Sequence, residues 1–237
     1  IKSKQSTFNE VTNIKAQQYI QSDLLPLVQQ CVGDLCTCSI DIENLNAINI
    51  RYPAAFSDAY LRPEILLEIG PMASWLPSDK FAIQSYAAVH FPQLFEQPNC
   101  NVPTILAERT FWEKATILHQ EAHRPADKAM PIRYSRHYYD LARLALSDTK
   151  NNALADLKTL DDVVVFKQKF YPSTWAQYGS AKPPTLKLMP PEFRVSVLNR
   201  DYQAMQDMIF DQRLSFEEVM QTLSGLEAEI NALEHIA

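Results

Sequence analysis

The sequence predicts an α+β fold in which a small mixed sheet region precedes a helical region. Apolar and polar residues alternate with the period of strands between residues 36 and 69. From about residue 102 onwards the periodicity becomes that of helices. Glycine occurs only four times in 237 residues, which suits a helix-rich chain because glycine destabilises helix interiors. We therefore predict two domains, residues 1–104 and residues 105–237.

The first predicted element is an amphipathic helix over residues 6–32. Pro26 should kink this helix or end its first part, because proline lacks an N–H and clashes with the preceding turn. The residues predicted on its core side are Ile20, Leu24, Leu25, Leu27 and Val28.

Three short extended segments follow the helix. Residues 36–43 alternate with the period of a half-buried strand. Residues 46–52 form a second run that ends before a proline, and residues 64–69 form a third that a Gly-Pro pair closes. In the third run, Glu64 and Glu68 are predicted to share one face.

Helices dominate the second half of the sequence. Ser215-Phe-Glu-Glu218 has the Ser-x-x-Glu spacing of a capping box, so a last helix should begin at Ser215. The proline-rich residues 171–191 are predicted to form a loop. The other predicted helices cover residues 106–123, 135–147, 154–170 and 191–210.

Composition excludes several classes of site. The four glycines lie far apart, whereas a Walker A loop or a dinucleotide fingerprint needs clustered glycines. The four cysteines lack the spacing of a zinc site and are predicted to be buried or half-buried free thiols in a cytoplasmic protein. No apolar run approaches the roughly 18 residues of a membrane span. The net charge of −6 gives no overall basic surface for nucleic acid, although a local basic groove stays possible.

The segment from Ala107 to His123 holds the first candidate residue. Lys114 lies about 60° from the centre of the predicted apolar stripe, with Thr110 and Glu121 on the same side. A lysine there could reach a phosphate as a compact point charge. The alternative, which the helical pattern alone favours, is a lysine that covers apolar surface with its stem. The stripe consists of Ala107, Phe111, Ala115, Leu118 and Ala122.

A second candidate group follows in the predicted helix over residues 135–147. Arg136, His137 and Asp140 could contact phosphates, a base or the Lys114 ammonium. Asp140 lies opposite the main apolar stripe of this helix, but other sides of the helix are apolar too. The pattern therefore leaves the position of Asp140 open.

Two groups of carboxylates and one histidine pair are weighed as metal ligands. Glu68, at the end of a predicted strand, could bind Mg²⁺ through hard oxygen ligands, or could lie on a solvated strand face. Asp41 and Glu43 are predicted to lie on a solvated strand face. His119 and His123 have the i, i+4 spacing of a zinc pair, but no glutamate stands in the H-E-x-x-H position, so a zinc site is a minor alternative.

Taken together, these segments resemble the AbiEii/AbiGii family of nucleotidyltransferase toxins, which act in type IV toxin–antitoxin systems. The resemblance covers about residues 1–148. The segments that carry it are Ile65-Leu-Leu-Glu-Ile-Gly70, Glu108-Arg-Thr-Phe-Trp-Glu-Lys-Ala-Thr-Ile-Leu-His119, Arg133-Tyr-Ser-Arg-His-Tyr-Tyr-Asp-Leu141 and Ala47-Ile-Asn-Ile-Arg-Tyr-Pro53.

The resemblance implies a partial polymerase-β-like nucleotidyltransferase core followed by a helical C-terminal domain. It implies transfer of a nucleotide from an NTP to an acceptor, RNA or tRNA, with Mg²⁺ or Mn²⁺, under the control of a cognate antitoxin protein. By motif, Lys114 would hold the triphosphate, Asp140 would support it and Glu68 would complete the metal site. Nucleotide or acceptor contacts would come from Thr110, Arg136 and His137.

One departure from the family pattern affects this expectation. The family's Gly-rich turn and Asp-x-Asp pair should precede the helix that begins near Ser6, and no segment of this sequence matches them. The chain as written is therefore expected to be inactive, since in-line displacement depends on metal charge. The alternative is a non-catalytic module on the same scaffold that binds RNA or an antitoxin.

Overall fold

The chain forms two compact units, Ile1–Ala73 and Ser74–Ala237. Helices and two antiparallel sheets are both present, so the predicted α+β class is confirmed. The domain boundary predicted after residue 104 stays a prediction. None of the described helices is long and apolar enough to cross a membrane. The computed structural model describes residues 14–56, 63–69, 76–209 and 212–233.

The first unit begins with a helix that changes its hydrogen-bonding pattern midway. Helix α1 (Ile14–Tyr19) runs into a π-helical turn (Ile20–Leu24), and α2 (Leu25–Val32) continues from there. Pro26 lies in the first turn of α2 and has no N–H to donate back to the turn before it. The interruption predicted at Pro26 thus coincides with a π-helical turn over Ile20–Leu24. The part of the predicted helix before Ile14 lies outside the described residues.

A three-stranded antiparallel sheet follows, in the order β1 (Thr37–Ile40), β2 (Ala47–Arg51) and β3 (Glu64–Glu68). Ala47 and Ile48 in the central strand are fully buried. The predicted solvated strand face of Asp41 is wrong. Strand β1 ends at Ile40. Asp41 follows it in a turn, where its Oδ1 accepts the backbone N–H groups of Glu43 and Asn44 at 2.9 and 2.7 Å.

The second unit begins with a two-stranded sheet that connects to the helices. Strand β4 (Ser78–Gln84) pairs antiparallel with β5 (Asn99–Ile105), and a short helix α3 (Tyr86–His90) lies between them. The helix predicted over residues 106–123 begins at Ala107, but the change to helical periodicity predicted at about residue 102 comes too early, because β5 continues to Ile105. Cross-strand pairing holds β5 extended, and Pro103 is tolerated because a two-stranded sheet has only edge strands.

Six helices complete the second unit. Five of these described helices correspond to predicted ones, although α8 ends at Ala204 and not at residue 210. The predicted helix over residues 154–170 corresponds to α7, which Asp156 caps by accepting the Thr159 N–H, and α6 was not predicted. The predicted capping box of Ser215 and Glu218 is confirmed. The helices are α4 (Ala107–Ala122), α5 (Ser135–Ala145), α6 (Thr149–Ala155), α7 (Leu157–Phe170), α8 (Glu192–Ala204) and α9 (Phe216–Asn231).

The core of this unit is packed around α4. Phe111, Trp112 and Leu118 of α4 are fully buried, and so is Leu141 of α5. The cysteines fit their prediction only in part. All four are free thiols, but Cys31 and Cys100 are exposed, because one lies on the outer side of α2 and the other on the exposed sheet β4–β5.

Candidate active site

The candidate site lies in the second unit, where α4 packs against α5. Lys114 Nζ on α4 donates a hydrogen bond to Asp140 Oδ2 on α5 at 2.6 Å. The same ammonium lies 3.1 Å from His137 Nδ1, one turn earlier on α5. The structure therefore brings together three of the residues named from the sequence. It also settles the open position of Asp140, whose side chain faces Lys114.

The Lys114–Asp140 pair is only partly shielded from solvent. The side chain of Lys114 is 20% exposed and that of Asp140 is 41% exposed. Lys114 is thus not a lysine that merely covers apolar surface, because its ammonium is directed at a carboxylate and an imidazole. An ammonium has three N–H donors, so two contacts leave Lys114 with capacity for a further acceptor.

His137 is a neutral member of this group. Burial first, and then the positive charges of Lys114, Arg136 and Lys167, lower the pKa of His137 from 6.5 to about 3. Because an ammonium can only donate, Nδ1 of His137 must accept from Lys114. The ring proton therefore lies on Nε2, which makes His137 a neutral hydrogen-bond donor on its other side.

Lys167 on α7 is a site residue that the sequence reasoning missed. Its side chain is buried, with 8% of the residue exposed, and its Nζ donates to the backbone oxygen of Glu113 at 3.0 Å. Burial, together with the charge of Lys114, lowers the pKa of Lys167 to about 7, against the raising effect of Glu113. A signal was present in the sequence, since Lys167 follows the buried residues Leu160 and Val163 on the same helical face.

Arg109 links this cluster to the segment before β4. Its guanidinium is 3% exposed and forms an ion pair with Glu113 at 2.9 Å. A second nitrogen, Nη1, donates to the Leu76 carbonyl at 3.0 Å, while the Phe166 ring lies 5.7 Å from the guanidinium carbon. Nη2 is buried without a hydrogen-bond partner in the described structure. Arg109 and Glu113 thus form one wall of the cluster around Lys114 and Lys167.

Three other predicted residues lie farther from direct contact. Thr110 is half-buried one turn before Lys114 on α4, and Arg136 is exposed on the first turn of α5. Glu68 is an exposed residue of β3 in the first unit, where it pairs with Ala47. Nucleotide or acceptor contacts by Thr110 and Arg136, and a metal role for Glu68, stay predictions.

Helix α5 is held in place at its N-terminus by Asp201 of α8, which was also missed. The Asp201 carboxylate accepts the backbone N–H of Arg133 at 2.7 Å and that of Ser135 at 2.8 Å. Arg133 has a positive φ of 62°, so the chain turns sharply just before the helix. These bonds satisfy N–H groups that a helix leaves unpaired at its start, and they fix the helix that carries His137 and Asp140.

His119 and His123 do not form a zinc pair. Nδ1 of His119 accepts the backbone N–H of Lys187 at 3.0 Å, and Nε2 lies 3.1 Å from the Gln177 carbonyl. Since a carbonyl cannot donate, Nε2 carries the ring proton, and His119 has no lone pair left for a metal. Burial lowers its pKa to about 4, so His119 is a neutral core residue that ties the loop over residues 171–191 to α4.

Comparison with known proteins gives one match. Residues 16–222 match the model of a family described as the nucleotidyl transferase AbiEii toxin of type IV toxin–antitoxin systems. This match covers most of the chain and spans the whole cluster around Lys114. No curated protein and no solved structure matches the chain.

Proposed function

The chain belongs to the AbiEii family of nucleotidyl transferase toxins of type IV toxin–antitoxin systems, and we propose that the whole protein transfers a nucleotide from a nucleoside triphosphate to an RNA acceptor. That the sequence as written is inactive stays a prediction. The observation that carries this proposal is the Lys114 ammonium, held between Asp140 and His137 at a partly open position. Such an ammonium is a compact charge suited to a polyphosphate.

The reaction needs a bound triphosphate and a nucleophile in line with the bond that breaks. The acceptor hydroxyl oxygen attacks the α-phosphorus, and a new P–O bond forms. The bond between the α-phosphorus and its bridging oxygen breaks, pyrophosphate leaves with the electron pair, and the hydroxyl proton passes to solvent. The contribution expected of the protein is positioning of the phosphates and stabilisation of the charge that develops on them.

In this proposal Lys114 donates to the phosphate oxygens. Asp140, at 2.6 Å from its ammonium, directs it. Neutral His137 occupies the other side of the ammonium, and its Nε2–H is available as a donor to the nucleotide or the acceptor. Arg136, exposed on the first turn of α5, adds a positive charge that a polyanionic RNA could contact.

A divalent cation, Mg²⁺ or Mn²⁺, stays a proposed cofactor, and Glu68 stays a proposed carboxylate ligand of a metal ion. The described residues do not by themselves fit a metal centre, because they contain no group of three or more His, Cys, Asp or Glu side chains that could hold one. The steps above therefore rest on the cations of the protein alone. When bound, such a metal would neutralise phosphate charge.

An antitoxin protein is proposed as the second partner. The family acts in two-component systems of toxin and antitoxin, so the activity of this chain should be under the control of a cognate protein.

The proposal is tested with Lys114→Ala, Lys114→Arg and Lys158→Ala in the whole protein. Lys158 is the matched control, because it is a surface lysine that also pairs with an aspartate, at 2.5 Å from Asp162. We expect Lys114→Ala to lower nucleotide incorporation into cellular RNA by about 100-fold or more. Lys114→Arg should lose part of the activity, and Lys158→Ala should keep it.

Thermal unfolding of each variant shows that it is folded. Undiminished incorporation, and undiminished growth arrest on expression of Lys114→Ala, would contradict the enzymatic proposal. That result would favour a module that acts by binding RNA or the antitoxin.

A further inference from the structure

We propose that Lys167 is a second phosphate-binding residue, which contacts the phosphate chain of the nucleotide beside Lys114. This inference rests on the proposed function, and it assigns a role to a side chain that the resemblance did not name. It starts from an unusual placement. A lysine that is almost entirely buried normally has a carboxylate partner or a full set of hydrogen-bond acceptors.

Within the described residues, Lys167 has neither. Its one hydrogen bond runs to the Glu113 backbone oxygen at 3.0 Å, and the Glu113 carboxylate is already paired with Arg109 at 2.9 Å. Two of the three N–H donors of its ammonium thus have no acceptor among the described residues. A buried ammonium whose N–H donors lack acceptors lowers the free energy of unfolding.

The location of Lys167 indicates what could supply the missing acceptors. Glu113, whose carbonyl it contacts, is the residue directly before Lys114 in α4. Lys167 also acts electrostatically on His137, and Lys114 acts on Lys167. Lys114 on α4 and Lys167 on α7 therefore place two amino groups at the same short stretch of α4, and Asp140 pairs with only one of them. An anion with several oxygens and more than one charge, such as a triphosphate, would satisfy both.

Removal of the Lys167 bond leaves no orphaned group on α4. The Glu113 carbonyl also accepts a hydrogen bond from Thr116 Oγ1 at 3.0 Å. A purely structural explanation of Lys167 would require that bond to stabilise the fold. An apolar chain of similar length, as in Lys167→Met, should instead pack without loss, because it removes the cost of burying an amine.

The charge state of Lys167 gives the inference a second readout. The groups that face it are Glu113 and Lys114 on α4 and His137 on α5. With a pKa of about 7 in the ligand-free protein, its amine is mostly neutral at about pH 8. A bound polyphosphate favours the charged form, so binding at that pH should be accompanied by uptake of a proton on Lys167.

The test uses inorganic tripolyphosphate, which represents the phosphate chain of every nucleoside triphosphate, and isothermal titration calorimetry. We expect Lys167→Met to weaken tripolyphosphate binding by about tenfold or more, and Lys167→Arg to bind within a few-fold of the unsubstituted chain. The matched control is Lys169→Met on the same helix, where the lysine is exposed, and it should bind normally.

Titrations at about pH 8 in two buffers of different ionisation enthalpy give the number of protons taken up. That number should be larger for the unsubstituted chain than for Lys167→Arg, whose guanidinium is always charged. Unchanged affinity in Lys167→Met together with a lower melting temperature would overturn the inference, since Lys167 would then be structural. Failure of the unsubstituted chain to bind tripolyphosphate would overturn it too.

A failure of this inference can be distinguished from a failure of the proposed function. If Lys114→Ala abolishes RNA modification while Lys167→Met retains full affinity for tripolyphosphate, only the role of Lys167 is wrong. If Lys114→Ala leaves RNA modification intact, the proposed function itself is wrong.

Discussion

Nδ1 of His137 lies 3.1 Å from Nζ of Lys114, so a neutral imidazole and an ammonium share one hydrogen bond between α5 and α4. The ring cannot gain a proton on Nδ1 without breaking this bond and placing two positive charges side by side. The Lys114 contact and the burial of the ring thus act in the same direction, toward a histidine that stays neutral far below its ordinary pKa.

This geometry predicts acid sensitivity of the fold. The pKa values of His137 and His119 are lowered from 6.5 to about 3 and about 4 in the folded chain. Below 6.5 the unfolded chain therefore binds more protons than the folded chain at these two sites. The free energy of unfolding should fall as the pH is lowered from about 6.5 towards 4, and urea unfolding at a series of pH values measures it.

The matched control for this prediction is His90, which is exposed on α3. His137→Gln should flatten the pH dependence of the unfolding free energy, whereas His90→Gln should leave it unchanged. Nitrogen-15 NMR of the imidazole rings adds a direct check, because His137 should keep the Nε2–H tautomer as the pH is lowered from about 6.5 to about 4. Titration of His137 near its ordinary pKa would contradict the assigned geometry.

The Lys114–Asp140 pair predicts a separation of stability from activity. Asp140→Asn should change the free energy of unfolding by less than about 1 kcal/mol, because partly exposed ion pairs contribute little. The same change should strongly lower nucleotide incorporation, since Lys114 would lose the charge that directs it. Chemical unfolding and incorporation into RNA are measured on the same preparations.

Asp162→Asn provides the comparison, because it breaks the exposed Lys158–Asp162 pair on the surface of α7. It should leave both stability and activity nearly unchanged. A large loss of stability in Asp140→Asn would show that the pair is structural, and full activity would remove Asp140 from the proposed site.

We expect the hydrogen bonds that Asp201 accepts from the start of α5 to contribute to the free energy of unfolding. Asp201→Ala removes the acceptor of the Arg133 and Ser135 N–H groups, so it should lower the free energy of unfolding by about 1–3 kcal/mol. Asp201→Asn should cost less, because its amide oxygen can still accept one bond. Asp207→Ala, at an exposed position in a nearby 3-10 turn, is the control and should cost little. Equal stability of Asp201→Ala and Asp207→Ala would show that this cap does not hold the helix.

The sequence predicts the helices of the second unit well because their apolar stripes are regular. The sequence-based prediction is poorest for the sheet β4–β5, whose residues are mostly exposed. A strand of this kind is held by pairing with its partner and leaves no alternating pattern of burial, so period-two analysis fails on β4. The short helix α6 was not predicted, because its seven residues carry too few apolar side chains to show a helical period.

The sequence named Lys114, His137 and Asp140, and it offered contact with the Lys114 ammonium as one of three alternatives, among which the sequence could not choose. Lys114 and Asp140 were named by motif, yet a helical wheel shows only which side of its own helix a residue occupies. Their contact depends on the packing of α4 against α5, which no local pattern encodes. Lys167 was missed for a different reason. The helix over residues 154–170 was predicted without assigning Lys167 to a face, although its spacing from Val163 places it on the inward-facing side.

We expect His119 to stabilise the fold through its hydrogen bonds, with no bound metal. His119→Phe keeps a ring of similar size but removes the acceptor for the Lys187 N–H, which should lower the free energy of unfolding by about 1–3 kcal/mol. The Gln177 carbonyl is less affected, because Ser180 Oγ also donates to it at 2.9 Å. The matched control is His123→Phe, since His123 is only half-buried and its Nδ1 contacts a carbonyl of its own helix.

Treatment of the unsubstituted chain with a chelator should leave its melting temperature unchanged, because both nitrogens of His119 are engaged by backbone groups. A drop in melting temperature on chelation, restored by zinc, would contradict this assignment and would make His119 and His123 candidate zinc ligands.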